Sequence, residues 1–128
     1  MEYSINKILD ISFDHAMVKV ADELKKEGFS IVGDIDIQEI LKKKLDIDFR
    51  RYKILGACNP QFAYKALQAD SRIGIMLPCN VAVQETEQGY IEVSAIDPLA
   101  SIHAIENPAI LDIAAQIQER LKKVIENL

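Results

Sequence analysis

The sequence predicts a two-layer α+β sandwich, with helices packed on one face of a sheet. Three observations carry the prediction. Extended and helical patterns alternate through the first half of the chain, in the order strand, helix, strand, helix, strand, helix. A hairpin pattern and a last helix follow. Each helix shows one apolar stripe, and such a stripe is buried most simply against a sheet face. No Gly-, Pro- or Ser-rich linker interrupts the order, and no solenoid-length repeat is present, so residues 1–128 read as a single domain.

Tyr3 to Asp10 reads as the first strand, with Ile5, Leu9 and Ile11 on one parity and Lys7 interrupting that face. Ser12 is placed to cap a helix carrying Phe13, Met17, Val20 and Leu24 at helical spacing, and Gly28 ends it. Phe29, Ile31 and Ile35 alternate with Ser30, Val32 and Asp34, which predicts a second strand with one strongly apolar face. Asp36 and Glu39 form an acidic capping box for a short helix striped by Ile37, Ile40, Leu41 and Leu45. Arg51 to Cys58 is a third strand. Asn59-Pro60 opens a third helix, with Asn as cap and Pro at the first helical position.

Ile73 to Glu85 is the longest extended pattern, with a bend, bulge or edge expected at Pro78. Gln88-Gly89 turns the chain, and Tyr90 to Ile96 returns as a hairpin partner ended by Asp97-Pro98. Asn107-Pro108 opens the last helix, striped by Ile110, Ile113, Ala114, Ile117, Leu121, Val124 and Leu128. Val32, Leu55, Ala57, Met76, Ala82 and Ile96 fall on the parity opposite the main stripes, so the second sheet face reads as apolar enough for a homodimer contact to cover it.

The 128 residues are 49% hydrophobic and 27% charged, which excludes a disordered chain and suffices for one core without disulfide staples. Fifteen basic against twenty acidic residues leave a net charge of −5, which argues against nucleic acid as a partner. No targeting or membrane-spanning stretch is visible, so the expected setting is cytoplasmic, with no membrane partner and with Cys58 and Cys79 reduced.

Tyr52-Lys53-Ile54-Leu55-Gly56-Ala57-Cys58-Asn59-Pro60, Leu77-Pro78-Cys79-Asn80-Val81 and Val93 to Leu99, with Ala95-Ile96-Asp97-Pro98, resemble three signatures of the domain of unknown function 302 family. Gly28-Phe29 and Asp36-Ile37-Gln38 fit in place and order, and the resemblance runs from about residue 10 to 105. It implies a mostly antiparallel sheet with helices on one side, a TATA-box-binding-protein-like fold, and dimers. It implies no activity.

Chemistry is therefore read from the residues. Cys58 ends a strand at a helix entrance, where the helix dipole favours thiolate, and is the one catalytic candidate; the alternative is a small hydrophobe at a tight junction. Cys79 shares parity with Leu77, Val81 and Val83, which favours core packing. Its neighbour Asn80 faces the other way, toward solvent or a backbone partner. Two thiols brought together would exchange electrons or hold a soft metal. Yet His15 and His103 are the only histidines, no paired-ligand spacing exists, and no metal site is expected. Lys42, Lys43, Lys44, Arg50, Arg51 and Lys53 against Asp46 and Asp48 leave a local +4, read as a solvated helix end in preference to a phosphate site. No Gly-rich phosphate loop, nucleophile elbow or Ser/His/Asp pattern is present, and no cofactor is indicated.

The leading expectation is a small homodimeric module with a pocket for a small-molecule ligand near Cys58, Asn59, Tyr64, Cys79, Asn80 and Asp97, the last also shaping a turn. The alternatives are a thiol redox enzyme or sensor using Cys58 with Cys79, and a purely structural interaction module.

Overall fold

Residues 2–128 are described by a computed structural model. Five antiparallel strands form one sheet in the order β1-β5-β4-β3-β2, from β1 (Ser4–Leu9), β2 (Ser30–Asp36), β3 (Tyr52–Cys58), β4 (Cys79–Glu85) and β5 (Ile91–Ile96). The helices are α1 (Phe13–Lys26), α2 (Ile37–Leu45), α3 (Pro60–Ala69), α4 (Pro98–Ile102) and α5 (Pro108–Glu126). Helices α1 and α5 lie on the sheet, and α3 packs on α5. The α+β sandwich read from the sequence is the observed fold.

The core lies between sheet and helices. Leu55, Val81, Val83, Val93 and Ala95 supply the sheet side, and Val20, Leu24, Ile110, Leu121 and Val124 the helix side, all nearly inaccessible to water. Ser12 caps α1 through the His15 amide, and the α5 stripe is buried along its whole length. Lys7, which breaks the β1 stripe, points inward and donates from Nζ to the main-chain oxygens of Glu126 and Leu128 at 3.0 and 2.8 Å. Its charge thereby meets carbonyls at the end of α5 that lack helical partners.

Several expectations are corrected. The segment Ser71–Met76 is a 3-10 helix, and β4 begins only at Cys79. Asp70 accepts from the Arg72 amide and starts this helix, and Pro78 cannot donate to a sheet ladder, so alternation in Ile73-Ile75-Leu77 is not strand alternation. The Leu77–Pro78 bond is cis. Leu55 and Ala57 face the helices and are buried, while Met76 lies outside the sheet; of the residues assigned to the open face, Ala82 and Ile96 are there. The open face also carries Ser4, Asn6, Asn80, Gln84, Glu92 and Ser94, so it is more polar than expected.

The apolar surface lies elsewhere. Strand β2 is an edge with a register shift between Ile31 and Gly33, and its apolar residues are uncovered: Val32 is 63% exposed. The α2 stripe is uncovered too, with Leu45 61% exposed and no residue of the helix buried. Asp97-Pro98 opens a one-turn helix, α4, where a plain turn was expected.

Candidate functional site

Antiparallel pairing brings the end of β3, the start of β4 and the end of β5 to one end of the sheet. The three family-like segments therefore meet there. Two of them lock each other. A Cβ on Gly56 would stand 2.8 Å from Cγ of Pro78, so only glycine lets the proline ring cross β3. Glycine at position 56 and proline at 78 thus answer one steric need.

Asn59 is buried, and it does not cap α3 with its side chain, contrary to the sequence reading. Its Nδ2 donates to the Glu27 carbonyl at 3.2 Å, which also accepts from Arg120 Nη1 at 3.2 Å. The amide is spent on holding the end of α1, whose Gly28 has a φ of +85° and stands against this same side chain. Asp97 is committed as well. It accepts from the Leu99 amide at 3.0 Å and from Gln118 Nε2 at 2.9 and 3.0 Å, so it caps α4 and ties it to α5. Tyr64 is 65% exposed on α3.

Of the candidate residues, Cys79 and Asn80 are the two beside a cavity. It measures about 290 Å³, is open on one side and is bounded by the 3-10 segment, α4 and α5. Its walls are apolar, with Ala66 of α3 and Ala114 of α5 leaving room where longer side chains would meet. Ser101 and Pro98 complete it. Cys58, Asn59, Tyr64 and Asp97 do not line it. The sequence reading missed Met76, Ile75 and Ser101 because it extended β4 and overlooked α4. Two alanines on the inward stripes of α3 and α5 were the available signal.

The two thiols are free. Burial pushes the Cys79 thiol up to about 11, with the nearby Cys58 adding in the same direction. Cys79 pairs with Ala57, and successive strand residues point to opposite faces, so Cys58 projects to the open face and Cys79 to the helix side. Side-chain vectors that diverge cannot be bridged without backbone movement.

Four of the six basic residues of this segment are in ion pairs. Lys42 pairs with Asp46 and Asp48, Lys43 with Glu39, Arg51 with Asp14 and Lys53 with Asp34. Arg50 stacks on Phe49 at 4.3 Å and donates to Gln84. Among the described residues, no cluster of three His, Cys, Asp or Glu side chains is arranged to hold a metal. None of the described helices is long and apolar enough to cross a membrane.

A search of curated proteins finds no match. Among solved structures, the fold is similar to one described as "Crystal structure of uncharacterized conserved protein DUF302 from Bacillus stearothermophilus". The identity is 26%, the TM-score 0.91, and the match covers 99% of this chain and 98% of that one. The family model "Domain of unknown function DUF302" matches residues 5–128. The chain therefore belongs to the DUF302 family.

Proposed function

We propose that this protein is a small-ligand-binding module, with the cavity beside Cys79 and Asn80 as its site. One observation carries the reading. Of the residues that the sequence singled out at this end of the sheet, Gly56, Asn59 and Asp97 have structural duties, whereas Cys79 projects to the side of a preformed apolar cavity that Pro78 and Asn80 border. Preformed, mainly apolar cavities with a few polar groups are the usual form of small-molecule sites. Thiol exchange between Cys58 and Cys79 has less support, because the strand pleat directs them apart.

The test is thermal unfolding against a panel of charged and uncharged metabolites. A ligand at 100 times its Kd adds about 2.7 kcal/mol of stability. That gain is expected to vanish in Ala114→Leu, which fills the cavity. If no compound stabilises the protein, the binding reading is wrong.

A second reading concerns assembly. We propose that a second copy covers the exposed apolar residues of β2 and α2. This surface takes the place of the open sheet face as the support for a homodimer. Val32, Ile35 and Leu45 are exposed apolar side chains of β2 and α2, of the kind that a twofold contact buries.

A further inference from the structure

The cavity wall restricts what can enter. Among the described residues, none of those lining it is charged. An ion moved into such a space loses its hydration and gains no counter-charge, which costs several kcal/mol at least. Polar groups inside are also spoken for. Among the described residues no buried side-chain nitrogen or oxygen lacks a hydrogen-bond partner, and the hydroxyl of Ser101, an exposed residue at the rim, donates to the Pro98 carbonyl at 3.0 Å. A ligand rich in hydrogen-bonding groups would find few partners in the interior. Cys79 offers only a thiol, a weak donor.

The mouth differs from the interior. Asn80 is exposed, borders the cavity, and makes no side-chain hydrogen bond among the described residues; its side chain has the open-face parity, opposite to Cys79, so its carbonyl and amide are free for a polar group only at the outer rim. Its side chain also borders the open sheet face, so that group would remain near water. Beside the cavity, Ile75 of the 3-10 segment is 86% exposed. An apolar side chain so placed gains burial when a ligand lies under it.

Size follows from volume. An apolar cavity of about 150 Å³ holds benzene, so about 290 Å³ holds roughly a dozen non-hydrogen atoms at the same filling. We infer that the cavity takes an uncharged, mainly apolar molecule of about this size, with its single polar group at the mouth beside Asn80. This rests on the ligand-binding reading above and narrows it to a chemical class.

Three probes with one skeleton test it: 1-nonanol, nonanoate and nonylammonium, each titrated at neutral pH and below its micelle concentration. Binding is followed by thermal shift and by amide NMR shifts at Ser101 and Ala114. The alcohol is expected to bind at least tenfold more tightly than either ion. Ala114→Leu is expected to weaken the alcohol at least tenfold, and Ile75→Ser, at an exposed position that leaves the core intact, several-fold. If an ion binds as tightly as the alcohol and shifts the same amides, the inferred class is wrong while the binding module stands. Alcohol binding untouched by both variants places the site elsewhere and overturns the inference. If none of the three binds but another metabolite does, the class alone falls. If nothing binds, both readings fall.

Discussion

Burial keeps the Cys79 proton on the folded chain after an unfolded chain has lost it. The thiol's ordinary value is 9.0 and the folded one is about 11. Between those values the unfolded state binds fewer protons than the folded state, so stability falls as pH rises through this window. Below about pH 9 both states are protonated and the group adds no pH dependence. Between pH 8 and 10.5 the native protein is expected to lose about 2 kcal/mol more than Cys79→Ala in urea unfolding. Equal losses would show that another group titrates. Glycines 33 and 56 give a second comparison at this scale. An added methyl at Gly56 runs into the Pro78 ring at 2.8 Å, whereas the nearest atom to one at Gly33 is 4.0 Å away. Gly56→Ala is expected to cost about 1–3 kcal/mol, and Gly33→Ala much less. Similar losses for both would mean that the ring is free to shift.

Elements announced by strong periodicity and a cap were legible in the sequence. Helix α5 has an Asn107 cap and an unbroken stripe, and the hairpin has its Gly89 turn. Where local capping or a proline competed with alternation, the pattern misled. Ile73-Ile75-Leu77 alternates like a strand, but Asp70 starts a helical turn there and Pro78 ends it. Parity in β3 was misassigned because Gly56 and Cys58 occupy its open side and carry little hydropathy signal. Of the site, Cys79 and Asn80 were legible from their motif. The cavity was not, because it depends on gaps between α3, α4 and α5 that no single segment records. The least anchored elements are β2 and α2. Neither has a buried residue apart from half-buried Asp36, Ile37 and Leu41. Hydrogen exchange is expected to be fastest in α2 among the longer helices and slowest in β4, β5 and α5. Protection of α2 equal to that of α5 would mean that something covers its stripe.

At the scale of the whole molecule, the same uncovered edge predicts assembly. Light scattering across a concentration series is expected to give twice the chain's mass of 14.4 kDa, and Val32→Lys with Leu45→Lys to give a monomer. A native protein that stays monomeric at high concentration would leave β2 and α2 as a solvated edge. The sheet order has a further consequence, for synthesis. Strand β1 pairs with β5 alone, and Ser4 waits for Ile96, which follows it by 92 positions. At about 5–20 residues per second, the ribosome leaves β1 without its neighbour for roughly 5–20 s. In that interval β2, β3 and β4, which neighbour one another in the sheet, are made. The first strand of the sheet thus cannot pair until the last one is made, and a chaperone that holds emerging chains would meet Ile5, Ile8 and Leu9 before the fold can take them.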